Sequence, residues 1–152
     1  SASREYDAAY LDQHSFSRNG TPPFAHRRIA WHVGWFSATV PAFLRAQSRN
    51  VSFVHIDCDL YSSTSVVLSQ LAPRMSPGCV VAFHELINYP EYESGELRAL
   101  LEYQLAAGRS VRVLGTPATR VARSAEEARA AIVASGGEQL DGYLQDAVLQ
   151  VL

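Results

Sequence analysis

The sequence predicts an α/β domain built around a mostly parallel β-sheet. Short apolar runs typical of buried strands alternate with amphipathic helical stretches along the chain. Right-handed crossovers place each helix over the sheet in proteins with this alternation. The 152 residues are enough for one domain with a real core. We interpret residues 1–152 as a single unit whose first part, residues 1–28, is polar and irregular.

The first predicted elements are two strands with a helix between them. Residues 29–33 form a short apolar run that predicts a strand, and Thr39-Val40-Pro41 opens a helix with proline in a tolerated first-turn position. Residues 51–57 are almost continuously apolar, as expected of a parallel strand that is buried on both faces. This second strand ends abruptly in acidic residues.

A helix and a further strand follow the acidic residues. Ser62, Ser63 and Thr64 are N-cap candidates, and Pro77-Gly78 is expected to stop the helix. The apolar residues of this helix recur every three to four positions, and they are Val67, Leu68, Leu71 and Met75. Residues 79–84 then form another apolar run, which predicts a third strand beside the second.

The rest of the chain predicts more helices and a fourth strand. An amphipathic helix begins near Ser94-Gly95-Glu96 and ends at Gly108, with Leu97, Leu100, Leu101 and Leu105 as its apolar residues. Residues 110–114 predict a strand, and residues 119–122 a short final one. Ser124 and Glu127 have capping-box spacing before an alanine-rich helix, and the apolar spacing of residues 140–152 predicts a last helix.

Composition excludes several classes of function. The 13 basic and 15 acidic residues nearly balance without a long run of one sign, so we expect neither a nucleic acid nor a membrane as partner. Cys58 and Cys79 lie within apolar runs and lack zinc-ligand spacing, which favours a reducing, cytoplasmic setting. Every basic residue is an arginine, so no lysine can act as a general base.

Polar side chains follow two consecutive strands at the point where each strand ends. Asp57 and Asp59 follow the second strand, and His84 with Glu85 ends the third. Ligands of parallel α/β sheets bind outside these carboxyl ends, and neighbouring strands lie about 4.8 Å apart. Asp57 could therefore face His84 and Glu85 across a gap suited to one divalent ion. The alternative is that these residues are solvated, or that they cap the helices that follow.

Three segments of the chain match a known enzyme family in the same order. They are residues 54–64, residues 34–44, and a stretch from Pro77-Gly78 through Asn88-Tyr89-Pro90 to Gly95-Glu96. These segments resemble the macrocin O-methyltransferase-like family of class I, S-adenosylmethionine-dependent methyltransferases. The resemblance implies a Rossmann-like methyltransferase sheet and S-adenosylmethionine as the methyl donor. It also implies O-methylation of a hydroxyl on a small molecule or sugar, which would be the protein's acceptor and partner.

The resemblance assigns a metal site and a proton acceptor at the strand ends. Asp57 matches the family's first metal-ligand aspartate, and His84 with Glu85 occupies the place of its acidic pair. The metal, Mg or Mn, would hold two vicinal oxygens of the acceptor and lower the pKa of one of them. Related catechol enzymes use a lysine base, which this chain lacks. Asp59 is therefore the expected catalytic residue, with His84 or water as the alternative proton acceptor.

The resemblance also assigns the residues that contact the cofactor. Gly34, Trp35 and Phe36 match the loop that lies against the adenine. Cys58 takes the position beside the adenine ring, and Asp57 is counted with it as cofactor-binding. Nothing before Gly34 resembles the glycine-rich first strand, loop and helix. We therefore expect the chain to be the C-terminal portion of such an enzyme, missing its first strands, with an exposed sheet edge that favours homo-oligomers.

Two other functions are compatible with the same residues. Asp57-Cys58-Asp59 is also an Asp-x-Asp motif at a strand end, as in metal-dependent nucleotide-sugar glycosyltransferases. A second alternative is a truncated, non-catalytic remnant that only associates with a partner. Binding of a UDP-sugar rather than S-adenosylmethionine would distinguish the glycosyltransferase from the methyltransferase.

Overall fold

Helices and strands alternate through most of the chain. The computed structural model describes residues 20, 22–89, 92–116, 126, 127, 130 and 146–152. In chain order, its elements are α1 (Phe36–Ala46), β1 (Val51–Ile56), α2 (Tyr61–Leu71), a 3₁₀ turn (Ala72–Arg74), β2 (Met75–Phe83), a second 3₁₀ turn (Tyr92–Ser94), α3 (Glu96–Ala107), β3 (Val111–Gly115) and β4 (Ala147–Val151). None of the described helices has the length and apolar character needed to cross a membrane.

The four described strands form one sheet in the order β1-β2-β4-β3. β1 pairs with β2 in parallel, whereas β4 lies between β2 and β3 and is antiparallel to both. Three of the four strands therefore point in the same direction. This arrangement confirms the predicted α/β class with a mostly parallel sheet, and β1 and β3 are the outer strands of its described part.

The core lies between the sheet and the helices α2 and α3. Leu68 of α2 and Val151 of β4 have no exposed surface, and Phe83 of β2 is 2% exposed. On β4, Ala147, Leu149 and Val151 are buried, and the residues between them are half-buried. Removing apolar surface of this kind from water stabilises the fold by roughly 25 cal/mol per Å².

α3 begins and ends where the sequence predicted. Gly108 follows its last residue with φ at 60°, a left-handed conformation that glycine adopts without steric cost. The predicted apolar face was partly wrong, because Leu101 and Leu105 are 50% and 85% exposed. The buried positions are instead Glu96, Ala99, Leu100 and Tyr103. They are spaced i, i+3, i+4 and i+7, which is the pattern of one helix face.

The predicted strand at residues 29–33 is wrong. These residues are irregular, and Ile29 and Val33 are 44% and 60% exposed. A local contact holds the segment instead of a sheet ladder: the Trp31 indole N–H donates to the Phe24 carbonyl at 2.9 Å, and the two rings meet edge to face. α1 also begins earlier than predicted, so Pro41 lies inside it.

The α2–β2 boundary differs from the prediction as well. α2 begins at Tyr61, so Ser62, Ser63 and Thr64 lie within the helix and do not cap it. It ends at Leu71, and Met75 already belongs to β2. Pro77 and Gly78 lie inside that strand, where the register with β1 shifts between Val51 and Phe53. An irregularity in the ladder accommodates these residues, since proline cannot donate to the ladder and Gly78 adopts a φ of 93°.

The helix predicted at residues 140–152 is also wrong where the structure describes it. Residues 147–151 form β4, because a buried residue alternates with a half-buried one along the segment. This period of two matches a strand, and β-branched Val148 and Val151 favour it. The predicted strand at residues 119–122 and the capping residue Ser124 lie outside the described residues.

Candidate active site

The parallel register of β1 and β2 brings two polar loops together. Ile56 pairs with Phe83, and the His84 N–H donates to the Ile56 carbonyl at 3.0 Å. Asp57 and His84 therefore leave neighbouring strands side by side. The His84 Nδ1 lies 3.9 Å from the Asp57 Oδ1, and both side chains are about half exposed. The structure thus places these two predicted site residues within ion-pair distance, at a position that solvent and ligands can reach.

Asp59 occupies a tight turn directly after Asp57 and Cys58. Its φ is 57°, and the Leu60 N–H donates to the Cys58 carbonyl, which closes a three-residue turn around Asp59. A left-handed conformation costs a non-glycine residue roughly 1 kcal/mol or more, so surrounding contacts must hold it. The turn leaves Asp59 close enough to Glu85 to raise the pKa of that carboxyl group.

Glu85 lies among like charges. Burial, followed by the charge of Asp59, raises the pKa of Glu85 to about 7, while the nearby His84 opposes this rise. The hydrogen bond with Asp59 and the charge of Asp57 act in the same direction as burial. Two neighbouring carboxyl groups, here those of Asp59 and Glu85, favour sharing one proton over ionising together. The strand ends therefore form an acid cluster of Asp57, Asp59 and Glu85, with His84 beside it.

A fourth acidic residue lies behind this acid cluster. Glu96, the first residue of α3, has no exposed surface. The Thr64 hydroxyl donates to its Oε1 at 3.0 Å, and the Cys58 Sγ lies 3.9 Å from the same oxygen. Burial raises the pKa of Glu96 to about 7, with the charges of Glu85 and Asp59 adding to the effect. Its Oε2 is buried without a hydrogen-bond partner among the described residues.

Reasoning from the sequence assigned Glu96 no role, although a signal was present. An acidic residue at the start of a helix is normally expected to be solvent-exposed and to interact with the helix dipole. The spacing of Glu96, Ala99, Leu100 and Tyr103 nevertheless places Glu96 on the buried face of α3. The apolar leucines were used to define the helix face, and that choice hid the buried glutamate.

Cys58 does not behave as a reactive cysteine. Burial, with the neighbouring carboxylates acting in the same direction, raises the pKa of the Cys58 thiol to about 11. Its Sγ lies 3.2 Å from the Thr64 hydroxyl oxygen and 3.9 Å from the Glu96 Oε1. The thiol is therefore protonated at neutral pH, which excludes it as a nucleophile.

The predicted cofactor loop lies at the start of α1. Gly34 has a φ of 141°, and Trp35 is the N-cap of the helix that begins with Phe36. The Trp35 carbonyl accepts hydrogen bonds from the N–H groups of Ala38 and Thr39, each at 2.9 Å. Its indole ring is left largely uncovered, because the residue is 86% exposed.

The donor types at the strand ends are those that divalent cations prefer. Carboxylate oxygens suit Mg and Mn, and an imidazole is compatible with Mn. The crowding of Asp57, Asp59 and Glu85 also leaves negative charge that a cation would neutralise. Yet within the described part of the chain, no three His, Cys, Asp or Glu side chains are arranged to hold a metal ion. The residues fit a metal by their chemistry, while their side chains as placed do not converge on one.

Comparison with known proteins identifies several relatives. A family model described as "Methyltransferase domain" matches residues 3–86. The 8-demethyl-8-(2,3-dimethoxy-alpha-L-rhamnosyl)-tetracenomycin-C 4'-O-methyltransferase of Streptomyces olivaceus is 37% identical over 51 residues, which are 34% of this chain and 18% of that protein.

Two solved structures of CalS11 are also similar. The apo structure, described as a TDP-rhamnose 3'-O-methyltransferase in calicheamicin biosynthesis, is 31% identical with a TM-score of 0.45, and the match covers 56% of this chain and 36% of that one. The other, described as a calicheamicin methyltransferase, is 32% identical with a TM-score of 0.46 and coverages of 56% and 33%. The chain thus spans about a fifth to a third of the length of these relatives.

Proposed function

The chain belongs to the methyltransferase domain family, and from that premise we propose that the protein is an S-adenosylmethionine-dependent O-methyltransferase acting on a sugar hydroxyl. The observation that carries the proposal is the family match over residues 3–86, which contains β1, β2 and the whole acid cluster. The printed names of the relatives describe methyl transfer to rhamnose or to a rhamnosyl group, which favours a sugar acceptor.

Methyl transfer from a sulfonium to a hydroxyl needs a proton acceptor. The acceptor oxygen forms a bond to the methyl carbon, the carbon–sulfur bond breaks, and the hydroxyl proton must leave. We assign its removal to Asp59, because the turn at the end of β1 holds this carboxylate in place and the chain has no lysine. The products are a methyl ether and S-adenosylhomocysteine.

The proposal includes binding roles for the remaining strand-end and loop residues. Asp57, His84 and Glu85 would hold a divalent ion, Mg or Mn, once Glu85 is ionised and the side chains turn toward a common point. Such an ion, when bound, supplies positive charge that stabilises an alkoxide without a strong base. The support is the donor chemistry and the raised pKa of Glu85, which burial and the neighbouring charges of Asp59 and Asp57 bring to about 7.

The cofactor would contact the segment at the start of α1 and the end of β1. Gly34, Trp35 and Phe36 are proposed to face the adenine, with Cys58 and Asp57 beside them. The exposed Trp35 ring offers an aromatic surface for stacking. The protonated Cys58 thiol adds a small, nearly apolar surface, because burial raises its pKa to about 11.

The test is a methyl-transfer assay with S-adenosylmethionine and TDP-rhamnose, run on the chain and on the full product of its coding sequence. We expect methylated sugar detectable by mass spectrometry, and its loss on adding EDTA. Asp59→Asn should lower the rate about 10²- to 10⁴-fold, the usual contribution of a general base. Asp57→Asn should weaken Mg and Mn binding in a calorimetric titration with little change in fold.

The controls separate the parts of the proposal. Glu102→Gln removes a carboxylate that pairs with Arg98 on the exposed side of α3, so it should leave the rate unchanged. Transfer that persists in EDTA would refute the metal but not the methyltransferase. Binding of UDP-sugars without binding of S-adenosylmethionine would favour a glycosyltransferase. A full-length product that binds neither would favour the non-catalytic remnant.

A further inference from the structure

We propose that Glu96 is a positioning residue that clamps the β1–α2 connection and so fixes Asp59, an inference that rests on the proposed role of Asp59. The clamp crosses the fold, because Glu96 belongs to α3 whereas Asp59 lies between β1 and α2. Glu96 has no exposed surface. A buried carboxylate is costly to keep unless its hydrogen bonds do something that an apolar side chain cannot.

The contacts of Glu96 span the turn that carries Asp59. Before the turn, the Cys58 thiol donates to the Glu96 Oε1 at 3.9 Å. After it, the Thr64 hydroxyl in the first turn of α2 donates to the Glu96 Oε1 at 3.0 Å. The Cys58 Sγ also lies 3.2 Å from the Thr64 hydroxyl oxygen, so the residues on the two sides of the turn contact each other as well. One carboxylate thus holds both sides of the connection.

Asp59 needs such support because of its backbone conformation. Its φ of 57° is unfavourable for a residue with a Cβ, and the turn itself supplies only the Leu60 N–H to Cys58 carbonyl bond. If Cys58 were released from Glu96, the residue before Asp59 would be free to relax into an ordinary extended conformation. The Asp59 carboxylate would then lose its fixed place beside Glu85.

The simplest alternative is that Glu96 only docks α3 against α2. The chain contains a matched control for that role, since the Tyr61 hydroxyl donates to Glu102 at 2.5 Å and also joins α2 to α3. Glu102 has no described contact with Cys58 or Thr64 and lies on the exposed side of the helix. Replacing Glu96 and Glu102 by the same residue therefore distinguishes the clamp from general docking.

The test measures amide hydrogen exchange by NMR in the full 152-residue chain, in EDTA and without cofactor. Glu96→Leu removes both acceptor oxygens, and we expect the Cys58 and Leu60 amides to exchange about tenfold faster, which is the effect of losing one hydrogen bond. Glu96→Gln keeps an acceptor oxygen and should stay within about threefold of the wild type. Glu102→Leu should leave both amides unchanged.

A kinetic readout follows for the protein that transfers methyl groups. Glu96→Leu should lower kcat at least tenfold while the KM for S-adenosylmethionine changes less than about threefold, and Glu96→Gln should restore most of kcat. Unchanged exchange at Cys58 in Glu96→Leu, or equal acceleration in Glu102→Leu, would overturn the clamp.

Two provisions keep the result interpretable. If Glu96→Leu does not fold, Thr64→Val takes its place, because it removes one hydrogen-bond donor to Glu96 while keeping the side-chain shape. Exchange at the Cys58 amide that becomes several-fold faster would support the clamp. Unchanged exchange there would overturn it. The exchange experiment needs no catalysis. An inactive wild-type protein would therefore refute the proposed function and leave the measured clamp standing.

Discussion

Glu96→Gln should change how the stability of the protein depends on pH. Burial raises the pKa of Glu96 from 4.5 to about 7, with Glu85 and Asp59 facing it as further negative charges. The hydrogen bond from Thr64 and the nearby Cys58 backbone amide oppose this rise but do not cancel it. Glutamine has the same shape and does not ionise, so the substitution removes the titration and keeps an acceptor oxygen.

The magnitude follows from the gap between the folded and unfolded pKa values. That gap is about 2.5, and each pKa unit corresponds to 1.36 kcal/mol, which gives roughly 3 kcal/mol. Because the folded pKa is the higher one, the stability linked to Glu96 is fully present below pH 4.5 and is lost as the pH rises through 7. Between pH 4.5 and pH 8, the free energy of unfolding of the wild type should therefore fall by about 3 kcal/mol relative to that of Glu96→Gln.

Urea unfolding of both proteins at several pH values from 4.5 to 8, in EDTA, measures the effect. The quantity of interest is the difference between the two free energies of unfolding. Glu85 is present in both proteins, so most of its own titration cancels in that difference. A difference that stays constant within about 0.5 kcal/mol over this range would refute the argument that Glu96 is a carboxylic acid held in an unfavourable environment.

Three further predictions concern packing and association. Leu68→Ala should lower the free energy of unfolding by about 2–5 kcal/mol because Leu68 is fully buried, whereas Leu105→Ala, at an 85% exposed site, should change it by less than about 0.5 kcal/mol in the same urea experiment. Gly95→Ala should cost about 1–3 kcal/mol because its Cβ would overlap the Tyr89 hydroxyl, and adding Tyr89→Phe should recover part of that loss. The outer strand β1 carries Phe53, which is 59% exposed, so we expect dimers or larger species in sedimentation at micromolar concentration; a monodisperse monomer would contradict this.

The strand-end arrangement could be predicted from the sequence because it depends on local patterns. A buried parallel strand is a continuous apolar run, and in β1 and β2 that run ends abruptly at Asp57 and His84. Once two such strands are neighbours, their carboxyl ends must meet at the same edge of the sheet. The contact between Asp57 and His84 needed no other information.

The remaining elements depended on partners that are distant in the sequence. The apolar spacing of residues 147–151 is compatible with either a helix or a strand. The segment forms a strand because it pairs with β2 on one side and with β3 on the other. The prediction of a strand at residues 29–33 was wrong for the opposite reason, since this apolar run has no neighbouring strand among the described residues and so no ladder to join. Glu96 was missed because its burial depends on the β1–α2 connection lying against α3.

The position of β4 has a consequence for how the protein is made. β3 pairs only with β4 in the described sheet, and β4 comes last along the chain although it lies in the middle of the sheet. During synthesis, β1 and β2 can pair early, but β3 must wait without a partner until residues 147–151 have left the ribosome. A premature stop between Gly115 and Ala147 would therefore remove the five residues of β4 and leave β3 with no described strand to join, splitting the sheet at its centre.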